Sequence, residues 1–586
     1  MQYPILNEIP ATRDIVDVFG GYNHNIKIGR GEFFDERNMS SAYYPIMAPR
    51  KKRGVYAGPT APGGLIEKDS LCYVDGETFV INGEPFHMGL SAGEKQLVSM
   101  GAYVIILPDR KYINTKNVED RGSIEAEYST ADSGVTVTVE LSTEDGSAME
   151  DVTASQTAPA SPANLQYWID TSTTPNTLKR WSETSAMWVT IATTYLKVSA
   201  PGIGAQFKPY DGVSITGLGN IGLDGSFVLW SCAENYIVVT GIVDERSEIT
   251  TPVTVSRKMP EMDFVVESEN RLWGCRYGIA ANGEIVNEIY ASKQGDFRNW
   301  SCYMGISTDS YTASCGTDGQ FTGAITYGGK PIFFKENYMH RVYGYMPSNF
   351  QIQSLACRGV EKGSAKSLAI VNETLFYKGR NGICAYDGSL PQEACSVLGD
   401  VRYKDAVGGA HGNNYYVSMA DMDGKYHLFT YDTVRNIWHK EDNLQVDSWC
   451  SCRNEMYFID HADKKIKTVF GSGDPAEKVV EWMAESGIIG TETPSGGGTA
   501  LLVDHKYVSR LLVRMSMDLG AEVRFLIQYD SCGEWENVAV LRGSSLRSFA
   551  FPIRPKRCDH FRLRIIGSGD ARIYSVSKTI EQGSDV

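Results

Sequence analysis

What this chain lacks narrows its identity first. It has no run of about eighteen apolar residues, so no segment reads as a membrane-spanning helix. Its opening, MQYPILNEIPATRD, lacks the basic-then-apolar layout of a secretory signal, and synthesis in the cytoplasm is expected. Its twelve cysteines never fall as CxxC. Cys450 and Cys452 share one face of a strand, but no second Cys or His pair stands at ligand spacing, so packing is expected there and no metal. Positive charge is also short. The 56 Lys and Arg face 71 Asp and Glu, a net charge of -15, and that field repels phosphate. That field disfavours a tight reader of nucleic acid but not a conduit through which DNA slides without sticking.

Local signatures of catalysis are missing too. There is no G-x-S-x-G elbow, H-E-x-x-H pair, Walker loop or dinucleotide fingerprint. The nine histidines are scattered; His411, His427 and His439 fall within one repeat, where polar side chains on strands are the plainer reading than a metal cluster. Asp421 and Asp423 begin like a calcium loop that does not continue, and Asp423-Gly424 reads as a hairpin turn. The strings at Ser142 and Ser307 approach the S-x-D-x-G-x-T-W box of propeller sialidases but lack its Trp. These absences predict a structural part, with no catalytic residue, cofactor or metal.

What is present is β structure. A chain of 586 residues exceeds one core and divides into domains. Its 32 Tyr and 58 Gly suit pleated, half-buried surfaces and tight turns. Seven units of short apolar runs separated by Gly, Asn or Asp turns align at residues 71–86, 97–114, 264–300, 324–344, 368–388, 406–440 and 448–471. Small sheets that cannot bury their own faces, repeated in series, predict a β-propeller of six or seven blades. The motifs FRNW at Phe297 and RNIWHK at Arg435 hold the same phase in their units, which favours a propeller over two sandwiches.

The expected domains are an extended docking arm (1–53), first blades (54–144), inserted small β modules (145–259), remaining blades (260–472) and a C-terminal β-sandwich (473–586). The stretch DPAEKVVEW carries a modest helical signal. The insert opens on the Ser, Thr, Ala and Pro-rich TASQTAPASPAN and then places Trp168, Trp181 and Trp188 on three short strands. A module this small needs its aromatics for a core, although exposed Trp faces also bind sugars. Residues 207–243 read as a small barrel or sandwich.

One resemblance covers much of the chain. Residues 18–54, VFGGYNHNIKIGRGEFFDERNMSSAYYPIMAPRKKRG, resemble the opening of phage tail nozzle proteins, also called DNA-stabilisation or tail tubular proteins. The matching positions are Gly20, Gly21 and Asn23; Gly31 and Glu32; Arg37 and Asn38; and the basic stretch holding Arg50, Lys51, Arg53 and Gly54. Residues 360–388 and 557–585 are similar to phage structural proteins. The resemblance implies a virion tail protein that forms a homo-oligomeric ring, usually six-fold, below the portal and adaptor. Such a ring continues the DNA channel and closes it until infection, touching viral DNA without binding it specifically. Its partners would be further copies of itself, the adaptor or portal, and tail fibres, with the residues just named docking the arm. Two alternatives stand: a tail-tip or fibre protein that binds host glycans through Trp168, Trp181, Trp188 or the C-terminal sandwich, and a tail enzyme that degrades surface polysaccharide.

Overall fold

The computed structural model describes residues 11–280, 283–490 and 505–582. The protein is all-β, with 53% of residues in strands and 3% in helix. It forms two compact units, one of Met1–Glu94, Phe334–Met339 and Ala356–Val586, the other of Lys95–Phe333 and His340–Leu355. Among the described residues no helix is long and apolar enough to cross a membrane.

Six of the seven repeats of the sequence are four-stranded antiparallel meanders and the seventh belongs to a five-stranded sheet, each of the size of a propeller blade. In the first unit they follow one another as neighbours. The fifth and sixth share a core of Phe376, Ile383, Tyr415 and Phe429, and the sixth and seventh one of Tyr416, Met456 and Phe458. The seventh and first meet through Ile459, Ile466, Leu65 and Leu71. In the second unit the second and third blades share Val98, Ile105, Val265 and Leu272, and the third packs on the fourth through Trp273, Ile289, Phe321 and Phe333. The seventh blade borrows its fourth strand, Gly54–Ala57, from just before the first blade; it pairs antiparallel with Ile466–Thr468. Gly54 is required there, since a Cβ would stand 2.1 Å from the Ser472 carbonyl oxygen.

The insert begins earlier than its composition suggests. Ala126–Ser129 pairs with Thr254–Arg257, and Val137–Ser142 pairs with Tyr195–Ser199, so both belong to the insert and not to a blade. Two sheets enclose a core of Val137, Val139, Leu196, Val198, Ile215, Ile237 and Val255, and residues 207–243, expected to form a small barrel or sandwich by themselves, supply only part of the strands. The Trp-rich part is a separate four-stranded sheet, not a three-stranded one, because Val152–Ser155 adds in parallel beside Tyr167–Asp170.

The C-terminal part is one folded sheet. Lys506–Tyr529 pairs along one side with Glu536–Pro552, and along the other with Ala571–Gln582 and then Phe561–Ser568. The ladder breaks near Asp518–Gly520, where Gly520 adopts φ 87°, and Gly569, also at φ 87°, lies against Ala521. Left-handed backbone of this kind suits glycine. Alternate residues on both sides of the break, from Val508, Leu511 and Val513 to Val523, Phe525 and Ile527, enter the same core, so the sheet closes on itself as a sandwich.

Two expectations are corrected. The N-terminal residues are not an extended arm: Ala11–Val16 pairs with Ala571–Gln582, and Glu32–Arg37 pairs with Glu481–Ser486, extending the C-terminal sheet at both ends. Their partners lie hundreds of residues away, and no local pattern announces that pairing. The DPAEKVVEW stretch forms no helix. Trp482 and Ala484 alternate into the C-terminal core, and this period-two burial makes Glu481–Ser486 a strand.

Candidate functional site

The Trp-rich sheet has two unlike faces, set by strand alternation. Trp168 stands opposite Lys179, Trp181 opposite Trp188, and Lys179 opposite Thr190, which places all three tryptophans and the lysine on one face. Ile169 and Leu178, also opposite one another, lie on the reverse face and are buried in the core of the insert. The core of this sheet is therefore aliphatic, and the aromatic face is the one turned away from it.

Trp188 links the other two rings edge-on. Its centroid is 5.3 Å from Trp168 at 62° and 5.5 Å from Trp181 at 63°. Trp168 is the anchored member, 5% exposed, with its indole N–H donating to the carbonyl and hydroxyl of Ser155 at 3.1 Å each. Trp181 and Trp188 are half-buried, and their indole N–H groups make no hydrogen bond among the described residues. Lys179 Nζ lies 4.9 Å from the Trp168 ring and 2.8 Å from Asp170 Oδ2. That hydrogen bond, with two more from Ser172, pulls the Asp170 carboxyl down to about 2. Charge on this face is thus paired, and exposed Met187, Val189 and Leu165 lie on the same small sheet and its entry. Fixed indole surface with N–H donors and one neutralised ion pair suits a ligand with an apolar face and a hydroxyl rim, such as a sugar ring.

Lys179 and Asp170 are parts of this face that sequence reasoning did not single out. Their signal was the i, i+2 spacing of Lys179 to Trp181 and of Trp168 to Asp170.

The residues named for docking are engaged within the chain. Gly21, at φ 77°, sits against Ile437 and the Trp438 carbonyl, and a Cβ on Gly20 would meet Glu32. Gly31, also left-handed, lies against the Val18 carbonyl. Asn23 donates to Glu32 at 2.6 Å, Arg37 pairs with exposed Glu481 at 3.2 Å, and Asn38 donates to the Glu481 carbonyl at 2.8 Å. Arg50 and Arg53 are buried: Arg50 pairs with Glu477 at 2.6 Å, and Arg53 with Glu441 at 2.7 Å and Asp442 at 2.6 Å. Lys51 is exposed, with its ammonium 5.8 Å from the Phe470 ring.

The remaining candidates separate. His411 bonds Ser451, His427 bonds Asp421, and His439 bonds Glu36, so the three do not converge. Asp421 accepts the backbone N–H groups of Asp423 and Lys425, the work of a hairpin turn. Cys452 packs with Leu65 and Ile459, and burial pushes the Cys450 thiol far up. Among the described residues no group of three or more His, Cys, Asp or Glu is placed to hold a metal ion.

No protein-family model matches the chain, and no curated protein matches its sequence. Among solved structures it is similar to an exo-β-1,3-galactanase from Phanerochaete chrysosporium solved with galactose, at 9% identity over 54% of this chain and 94% of that one, TM-score 0.21. It is similar to the endosialidase of phage phi92, at 8% identity over 90% and 74%, TM-score 0.21. A puromycin-hydrolysing peptidase of Mycobacterium tuberculosis aligns at 9% identity over 73% and 63%, TM-score 0.23. At these scores the likenesses lend this chain no substrate. They do correct one expectation. The exclusion of an enzyme does not stand, because the similar structures include glycoside hydrolases and a peptidase. Missing local motifs do not bar catalytic groups assembled from distant strands.

Proposed function

We propose that this chain is a surface-recognition component of a bacteriophage tail, and that it binds host glycans on the Trp168, Trp181 and Trp188 face. One observation carries the reading: the three rings share the face turned away from the aliphatic core, with Trp168 buried as their anchor and Trp181 and Trp188 half-buried beside it. Two half-buried indoles offer stacking surface and N–H donors to a sugar. The phage setting rests on the resemblance of residues 18–54. The nozzle ring rests on that resemblance too, and the intramolecular bonds of Arg50, Arg53 and Asn38 leave those side chains committed to the fold.

A glycan array probed with the whole protein tests the proposal. Wild type retains a subset of glycans, and Trp181→Ala and Trp188→Ala lose them with unchanged circular dichroism. Retention by both variants refutes it. Release of reducing ends from the retained glycans reads out cleavage in the same incubation.

A further inference from the structure

The C-terminal sheet carries a second site of different chemistry. Where its long strands bend, an open groove of about 520 Å³ is lined by Glu522, Arg524, Val540, Leu541, Arg542, Arg547 and Phe549. That volume is in the range of small-ligand sites. Three guanidinium groups face one carboxylate, a local excess of positive charge on a chain whose net charge is -15. Glu522 holds two of them, accepting from Arg524 at 2.7 Å and from Arg542 at 3.1 Å. Both arginines remain largely open, at 60% and 81% side-chain exposure, so neither fork is used up. Arg547 has no acidic partner among the described residues; its guanidinium lies 4.5 Å from the Phe549 centroid, spread over the ring.

Planar forks of this kind accept carboxylates bidentately, and a guanidinium stacked on an aromatic ring is held in orientation. Val540, Leu541 and Phe549 add an apolar wall for the C–H face of a ring. Phosphate polymers also seek arginine, but their dense charge meets the repulsion of the whole chain, whereas a polymer with one carboxylate per sugar meets less. We infer that this groove binds a carboxylated polysaccharide through Arg524, Arg542 and Arg547, separately from the tryptophan face.

The test is titration of the full chain with polygalacturonate, with the same polymer fully methyl-esterified, and with duplex DNA, at low and moderate salt. The expected result is salt-sensitive binding of polygalacturonate only. Arg542→Gln/Arg547→Gln should weaken it at least tenfold with unchanged thermal midpoint, and Trp188→Ala should leave it intact. Glu522→Gln removes the one carboxylate of the groove and should tighten binding several-fold, a gain that misfolding cannot mimic. Absence of binding, equal binding of the methyl ester, tighter binding of DNA, indifference to the arginine changes or loss in Trp188→Ala overturns the inference.

Discussion

Arg53→Met should strike the joint between the N-terminal strands and the sixth blade. Arg53 and Arg50 have side chains 8% and 7% exposed and face Glu441, Asp442 and Glu477, so two cations hold three carboxylates largely out of water. Methionine keeps most of the volume and removes the charge. Glu441, itself 5% exposed at the side chain, is then left with Arg50 at 3.5 Å. Removing one partner of a buried ion pair costs about 3–5 kcal/mol, because the other charge stays buried without compensation. That is a large share of the roughly 5–15 kcal/mol by which a domain is stable. Burial alone would lower the Arg53 pKa, but Asp442 and Glu441 outweigh it and push it up. Burial likewise favours protonation of Asp442, yet Arg53 and Arg50 hold its carboxyl below the usual range. A folded value below the unfolded one, about 3.9 for Asp, means that this contribution is present above that pH and lost as pH falls through the folded value. The gap between wild type and Arg53→Met should therefore be full at pH 7 and shrink in acid. Urea titration followed by tryptophan fluorescence, with hydrogen exchange of Glu32–Arg37, measures it. A loss below about 1 kcal/mol at pH 7, or one that does not shrink in acid, refutes the account; so does a double variant with Glu441→Gln that loses the full sum of the two single changes.

The other predictions concern neighbouring features. Glu36 is fully buried, and burial raises its pKa despite the bond to His439; a raised carboxyl gives stability at low pH that is lost as pH rises, so Glu36→Gln should gain on wild type between pH 4 and pH 8 in denaturation midpoint. Gly21→Ala adds a Cβ 2.4 Å from Ile437 Cγ2 at φ 77°, and should cost more than the roughly 1–2 kcal/mol of left-handed backbone, with faster exchange of Ile437–Lys440. Ile169→Ala should cost about 2–5 kcal/mol by opening a cavity under the Trp sheet, whereas Trp188→Ala should cost less in thermal midpoint yet remove glycan retention.

The blades were legible because each is local: apolar alternation, a Gly, Asn or Asp turn and a return strand lie within a few dozen residues, and all seven repeats became sheets. The joints between parts were not. Gly54–Ala57 reads as the start of the first blades, yet it pairs with Ile466–Thr468 of the seventh, and Ala11–Val16 finds its partner at Val576–Glu581. Strand pairing leaves no trace in either segment alone when the partner is that remote. The tryptophans show the same limit at short range. YWID places an aromatic and an aliphatic residue side by side, so both faces of that strand read as apolar and period two cannot say which one meets the core. The tie is broken by Ile169 and Leu178, whose facing pair fits the aliphatic sandwich built from Val137 to Val255, a partner that the sequence presents on both sides of the Trp sheet. Once that core claims the aliphatic face, alternation turns the three indoles away from it, onto the face for which we propose glycan binding.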